Sequence, residues 1–254
     1  MKKIFAIAAV SLVIAFAISS CSKTGAQGPV GPAGPLSTGT LSGYVTVYDQ
    51  YGFKVPGDLS GVSVSIPGMA GDSTVTNSAG SYSISNLKTG VYNLFYSKAN
   101  CGSVLVNDYS FLGGGTINRN QAMSLIPSFS LFNVNDTIVT VSTDTGVAIR
   151  GIDSVNGVAR QYIIFGSTAS TVSSAPGTYV YNSAVETIKA GQGTFNAFLT
   201  QQELADAGLT PGTTAYFIVY PYSAGQPTYV DLSTGKTVYT ALGTPSQVLQ
   251  VVIP

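Results

Sequence analysis

The side chains that usually perform enzymatic chemistry are scarce in this chain. Its 254 residues include no histidine, which removes Ser-His-Asp and Cys-His catalysis and histidine-based zinc sites. The nearest approach to an acid cluster is Glu186, Glu203 and Asp206. Glu203 and Asp206 are three residues apart, which fits one solvated helix face better than the two facing carboxylates of a glycosidase. The sequence therefore predicts no catalytic residue, no metal site and no cofactor.

Tyrosine is the side chain best suited to ligand binding in this sequence. The chain has 15 tyrosines and no tryptophan. Tyr216, Tyr220 and Tyr222 would project from one face of a single strand, where aromatic rings can stack on sugars or anchor a protein partner. They are the candidate ligand contacts. The alternative is that the three rings cover the sheet or pack between domains.

The N-terminal 20 residues have the layout of a secretory signal. Lys2 and Lys3 precede an apolar run that is too short to span a membrane. The run ends in Ile18-Ser19-Ser20-Cys21, which resembles a bacterial lipobox. The resemblance implies that residues 1–20 are removed and that Cys21 is lipidated, which would anchor the protein in the outer membrane. Cys101 then has no intramolecular partner, and a free cysteine is most often buried as a small hydrophobe.

Residues 21–37 form the predicted tether. From Gly25 to Leu36 the sequence consists of four triplets that each begin with glycine. A collagen triple helix needs many more repeats, so we interpret the stretch as a polyproline II spacer, with trimerisation as the alternative. Ser22-Lys23-Thr24-Gly25 contains no acid, and the choice between the periplasmic and the outer face stays open.

Charge argues against a nucleic-acid partner. After removal of residues 1–20, the count of Lys and Arg falls from 11 to 9 against 11 acids, for a formal net charge of −2. Nucleic-acid binding requires a basic surface. Charged residues make up 9% of the chain, against about 25% in an average domain. The expected surface is polar without being strongly charged.

Residues 38–125 have the pattern of a first β-sandwich. Apolar and polar residues alternate from Leu41 to Tyr48, and short alternating runs follow at turn-bounded intervals. The segments 76–82 (TNSAGSY) and 87–94 (LKTGVYNL) resemble signatures of carboxypeptidase regulatory-like domains. The resemblance implies a transthyretin-like fold and a non-catalytic module. Asn77 stands where the family has an acid, and asparagine also supports a tight turn.

Residues 126–254 have the pattern of a second sandwich. Seven predicted strands cover the following segments: 138–141, 162–165, 179–181, 194–198, 216–222, 229–232 and 248–253. One helix is predicted after Thr200, where Thr200 and Glu203 have capping-box spacing and Gly208 ends the helical pattern. The segment 209–216 (LTPGTTAY) resembles the corner before a late strand of fibronectin type III domains. The overall prediction is all-β, with two tandem Ig-like or transthyretin-like sandwiches.

Three hydroxyl residues resemble acceptors of a bacterial O-glycosylation system. Ser73, Thr137 and Ser154 each follow an aspartate and precede an apolar residue or threonine. We treat them as candidate O-glycosylation sites.

Taken together, these features predict a non-enzymatic lipoprotein of the cell envelope. It is anchored to the membrane through lipid and acts as a structural, adhesive or protein-binding module. The alternative is a carbohydrate-binding accessory lipoprotein of a nutrient-uptake system. Its partner is expected to be a protein or a glycan.

Overall fold

The computed structural model describes residues 37–155 and 157–254. The predicted signal peptide, the lipidation site Cys21 and tether residues 21–36 lie outside the described residues. Within them the chain is all-β, with strands arranged as β-sandwiches and one short helix. The described residues belong to one compact unit.

The described residues contain no helix that is both long and apolar enough to cross a membrane.

The first sandwich contains two sheets that pack face to face. In one, β1 lies between β4 and β7 and also pairs with β8; in the other, the order is β3-β2-β5-β6. Its strands are β1 (Thr38–Tyr48), β2 (Ser63–Ser65), β3 (Ser73–Val75), β4 (Ser81–Lys88), β5 (Gly90–Ser97), β6 (Val104–Phe111), β7 (Thr116–Asn118) and β8 (Gln121–Ser124). The alternation predicted from Leu41 to Tyr48 places Leu41, Val45 and Val47 in the core between the sheets.

The turn before β4 explains one family-like motif in physical terms. The Asn77 side-chain oxygen Oδ1 accepts hydrogen bonds from the backbone N–H groups of Ala79 and Ser81, both at 3.0 Å. Gly80 has φ +79°, and a Cβ there would lie 2.5 Å from the Val45 carbonyl oxygen. The tight turn predicted at Asn77 is therefore confirmed, and glycine is required because β1 passes directly beside it.

The second sandwich is formed by a three-stranded sheet, β14-β10-β9, and a five-stranded sheet in which β11 pairs with β12, β13 and β15, and β15 pairs with β18. A separate hairpin is formed by β16 and β17. The strands are β9 (Leu131–Val141), β10 (Asp144–Asp153), β11 (Arg160–Ser167), β12 (Tyr181–Asn182), β13 (Glu186–Ile188), β14 (Thr194–Thr200), β15 (Thr214–Tyr222), β16 (Thr228–Val230), β17 (Thr237–Tyr239) and β18 (Leu249–Val252).

The core of the second sandwich contains one buried ion pair. Arg160 and Asp153 have fully buried side chains, and the Arg160 Nη2 to Asp153 Oδ2 distance is 2.5 Å. The guanidinium also donates to the carbonyl oxygens of Val158 and Gln192, while Asp153 Oδ1 accepts from the Val155 N–H. A buried charge is tolerated only when it is paired and hydrogen-bonded in this way. Arg160 therefore serves the fold.

The predicted helix is confirmed as α1 (Gln201–Asp206). The Thr200 side chain accepts from the Glu203 N–H at 3.2 Å, and the Glu203 carboxylate accepts from the Thr200 N–H at 3.2 Å, which is a complete capping box. Gly208 follows with φ +89°. The helix packs Leu204 into the core next to β14.

The two sandwiches are joined by a hydrogen-bonded segment. The N–H groups of Leu125 and Ile126 donate to the carbonyl oxygens of Tyr48 and Asn100, and the Ser128 N–H donates to Gln50 Oε1. Across the segment, the Ser223 hydroxyl donates to the Leu125 carbonyl oxygen at 2.5 Å. The domain boundary between residues 125 and 126 stays a prediction. These hydrogen bonds hold the chain on both sides of it.

Cys101 lies beside this segment. It is free, 6% exposed and packed into the core of the first sandwich, where burial raises the pKa of its thiol. The next residue, Gly102, approaches the second sandwich so closely that a Cβ would lie 2.3 Å from the Thr240 carbonyl oxygen. The burial expected for Cys101 is what the structure has.

Candidate functional site

The three candidate tyrosines lie on the outer face of β15, and two of them are buried there. Tyr220 and Tyr222 are each 8% exposed, and Tyr216 is half-buried against the same group of side chains. Phe165 of the neighbouring strand β11 contacts the Tyr220 ring edge-on, at a centroid distance of 5.6 Å. Burial, followed by the nearby Tyr239 phenol, raises the pKa of Tyr222. These rings pack with one another and do not form an exposed stripe.

The tyrosines of β15 belong to a buried surface that we call the covered face. It is the outer surface of β11 and β15, with Ile163, Phe165, Val172, Tyr179, Ile218, Tyr220 and Tyr222 as its buried members. Tyr179 comes from the loop after β11, and its hydroxyl donates to the Thr237 carbonyl oxygen of the β16–β17 hairpin at 2.9 Å. The loop and the hairpin are thereby fastened together above the sheet.

The outer surface of the three-stranded sheet has no such cover among the described residues, and we call it the open face. Cross-strand partners present their side chains on the same face of a sheet. The register of β9, β10 and β14 therefore defines rows of outward side chains. In order along the sheet, these rows are Phe132-Ile152-Thr194, Asn135-Arg150-Asn196, Thr137-Ala148-Phe198 and Val139-Gly146-Thr200.

The second row of the open face is polar. The Arg150 Nε donates to Asn196 Oδ1 at 3.2 Å, which ties β10 to β14 through their side chains. On β9, the Asn135 amide donates to the carbonyl oxygen of Asn133, a residue with φ +48° at a shift in the strand register. These side chains line a depression of about 350 Å3. Amide and guanidinium groups side by side can donate and accept several hydrogen bonds from one ligand.

The rows on both sides of this polar row each carry an aromatic side chain. Phe132 is 50% exposed and Ile152 is 43% exposed. On the other side, the half-buried Phe198 ring lies over Gly146, where a Cβ would be 2.9 Å from the ring. Gly146 thus makes room for a ring that lies flat on the sheet. The open face therefore places a hydrogen-bonding row between two aromatic side chains.

A second depression adjoins the open face at the edge strand β14. Its volume is about 310 Å3, and it shares Thr194, Phe195 and Asn196 with the first depression. Its other lining residues come from β11, β13 and the following turn: Tyr162, Glu186, Thr187, Lys189 and Gln192. Burial, and then the charge of Glu186, raises the pKa of Tyr162. The two depressions form one surface that crosses β14.

A third depression, of about 480 Å3, lies at the other end of the same sheet. It is lined by the β9–β10 turn, α1 and Pro211, with Thr143, Asp144, Thr145, Gln201 and Gln202 among its polar residues. It contains no aromatic side chain. Since sugars and protein partners are usually held by at least one ring, the open face is the stronger candidate.

The acids singled out in the sequence have local roles. Glu203 caps α1 and also accepts a hydrogen bond from the Tyr181 hydroxyl at 2.6 Å. Asp206 accepts from the Gln202 side chain at 2.7 Å. Glu186 lines the second depression instead. Within residues 37–155 and 157–254, no three His, Cys, Asp or Glu side chains form a group that could hold a metal ion.

The candidate O-glycosylation residues are all exposed. Ser73 lies on β3 and Thr137 on β9, while Ser154 follows β10 and its hydroxyl accepts from the Ser130 N–H at 2.9 Å. Thr137 belongs to the open face, opposite Ala148. A glycan on Thr137 would therefore stand on the open face itself. Use of these three residues as acceptors stays a prediction.

The comparisons with known proteins give no family for this chain. No protein-family model matches it, and no curated protein matches it. The likeness of its motifs to carboxypeptidase regulatory-like and fibronectin type III domains therefore stays a prediction.

Solved structures provide distant similarities. The chain is similar to a DUF3823 family protein from Bacteroides ovatus, at 16% identity and TM-score 0.30, over 86% of this chain and 99% of that one. A DUF3823 family protein from Parabacteroides merdae is 15% identical, with TM-score 0.29, over 85% and 99%. A type II cohesin–X-dockerin complex from Acetivibrio cellulolyticus is 22% identical, with TM-score 0.29; the match covers 34% of this chain and 57% of that one.

Proposed function

We propose that this chain is a non-enzymatic binding module of the cell envelope, anchored through a lipid on Cys21, and that it binds carbohydrate on the open face. The observation that supports carbohydrate binding is the order of the side-chain rows on the open face. Asn135, Arg150 and Asn196 form a polar row, and the exposed Phe132 and the half-buried Phe198 lie in the rows on either side. A sugar presents hydroxyl groups around its rim and C–H groups on its faces, and this surface offers partners for both.

The arrangement of this face fits a protein partner less well. Protein interfaces have an apolar centre surrounded by a polar rim, and arginine is common in them while other charged residues are depleted. The open face differs, because its polar row lies between the rows that carry Phe132 and Phe198. A flat apolar partner would bury the guanidinium without a counter-charge, which is costly.

A structural or adhesive role is the second candidate, and edge strand β9 is the observation in its favour. Ile138 and Val141 on this strand are 51% and 53% exposed. β9 also forms one edge of its sheet. An exposed edge strand with apolar side chains can accept a further strand from another chain. In this case binding would depend on β9 and not on the side chains of β14.

The test is a glycan array probed with the full chain in mild detergent. Phe132→Ala and Asn196→Ala should each lower the affinity for the captured glycan about tenfold or more, because each removes one stacking or hydrogen-bonding partner. Tyr44→Ala is the matched control, since Tyr44 is 57% exposed but lies on the first sandwich. Absence of glycan binding, or equal loss in the control, would contradict the proposal.

The anchor has a separate test. Mass spectrometry of the protein from its native membrane should show an acylated N-terminal cysteine at position 21. Cys21→Ser should release the protein from the membrane fraction, since several acyl chains are needed for stable anchoring. An unmodified Cys21 in membrane-associated protein would exclude the lipid anchor.

A further inference from the structure

The second sandwich has four cationic residues, and two of them are free to meet a ligand. These four are Arg150, Arg160, Lys189 and Lys236. Arg160 already forms the buried ion pair with Asp153. The Lys236 ammonium lies over the Tyr179 ring, 5.2 Å from its centroid, on the covered face. Among the described residues, neither Arg150 nor Lys189 has a carboxylate within ion-pair distance.

The two free cations lie on one continuous surface. Arg150 lines the depression on the open face, and Lys189 lines the second depression. Both depressions include Thr194, Phe195 and Asn196 of β14. An elongated ligand that crosses β14 over Asn196 would therefore meet Arg150 on one side and Lys189 on the other.

We infer that the ligand of the proposed site is a uronate-containing oligosaccharide, with carboxylates paired to Arg150 and Lys189. This inference rests on the proposed carbohydrate function and adds the charge and the length of the sugar. A guanidinium matches a carboxylate with two parallel hydrogen bonds, and an ammonium attracts it as a point charge. The neutral amides of Asn135 and Asn196 and the Phe132 ring would hold the uncharged parts of the chain.

One carboxylate, that of Glu186, would act against the binding of a uronate. Glu186 lines the second depression together with Lys189. Its carboxylate would repel a uronate there and weaken the attraction of the lysine. Replacement of Glu186 by glutamine should consequently tighten the binding of an acidic ligand and leave the binding of a neutral one unchanged.

The experiment compares oligouronates with their methyl esters. Hexamers of galacturonate, glucuronate and mannuronate, each as the acid and as the methyl ester, are titrated against the full chain in detergent. At least one acid should bind about tenfold more tightly than its ester, and added salt should reduce this advantage because it screens exposed charges. The monomeric uronates should bind more weakly than the hexamers because each has a single carboxylate and cannot pair with both cations.

Variants assign the effect to the two cations. Lys189→Gln should weaken binding of the acid about three- to tenfold and leave binding of the ester unchanged, as expected for loss of one charge-assisted contact. Arg150→Gln should weaken binding of both ligands, because Arg150 belongs to the polar row, and should weaken binding of the acid more. Lys88→Gln is the control, because Lys88 is exposed on the first sandwich. It should change neither ligand's affinity.

The outcomes separate this inference from the proposed function. Glycans that bind the open face with equal affinity as acid and ester would overturn the uronate inference and leave carbohydrate binding in place. Sulfated sugars that bind while every uronate fails would also overturn it. If no glycan of any charge binds, the proposed function fails together with the inference.

Discussion

The two outer faces of the second sandwich differ in burial: one is covered by other segments of the chain and the other is exposed. On β11 and β15 the outward residues are aromatic and large, and a loop and a hairpin close over them. On β9, β10 and β14 the outward rows mix asparagine, threonine, one arginine and two phenylalanines, and Phe132 and Ile152 stay exposed. Burial of apolar surface is favourable, so other segments of the chain pack over a strand face that carries many aromatic rings. The open face has two rings that can stack on a ligand, and its apolar area is too small for another segment of the chain to pack over it.

The largest expected difference between the two faces is in stability. Phe165→Ala would leave a cavity among Tyr179, Tyr220 and Tyr239 and should reduce the free energy of unfolding by about 3–5 kcal/mol. Phe132→Ala on the open face should cost about 0.5 kcal/mol or less, as for other exposed positions. Chemical denaturation of the two variants measures both. Equal losses would mean that the open face is also covered.

Alkaline pH should weaken the covered face. Burial is the main cause that raises the pKa of Tyr179, Tyr222 and Tyr239 above the ordinary value. Their contribution to stability is complete below about pH 10, where unfolded tyrosine is still protonated, and is lost as pH rises through the folded pKa values. The melting temperature should therefore fall above about pH 10. Tyr222→Phe removes one titrating group and should reduce the slope of this decline; an unchanged slope would argue against burial of the phenol.

The smallest expected effect is that of Tyr220→Phe. The Tyr220 hydroxyl is a weak acceptor for the Ser174 N–H, at 3.4 Å, so its removal should cost about 1 kcal/mol or less. Because its ring lies on the covered face, glycan affinity should stay at the level of the unmodified chain. A selective loss of glycan binding in Tyr220→Phe would return the ligand site to the tyrosines first singled out in the sequence.

Local patterns in the sequence predict local structure well. The Asn77 turn, the capping box of Thr200 and Glu203 and the alternation from Leu41 to Tyr48 all appear as expected. Each of these depends on interactions between residues a few positions apart, or on one strand with a single buried face. The all-β fold class follows from the same kind of signal.

The open face could not be predicted in the same way. Its central strand β10 was missing from the predicted strands, because Gly146, Ala148 and Gly151 interrupt the apolar alternation. Its polar row brings together Asn135, Arg150 and Asn196, whose separations in sequence carry no periodic signal. The apolar pair Val147 and Ile149 was the available hint of a strand. The burial of Tyr220 and Tyr222 was equally hidden, since it depends on a distant hairpin.

The hydrogen-bonded junction between the sandwiches determines how the molecule would carry a load. A polymer that pulls on the open face would transmit force through the Ser223–Leu125 and Ser128–Gln50 bonds, from distant parts of the sequence, before it reached the N-terminal end of β1. Such bonds share tension in parallel, whereas a flexible linker would first extend and absorb it. The junction would therefore pass a load from one sandwich to the other without first extending.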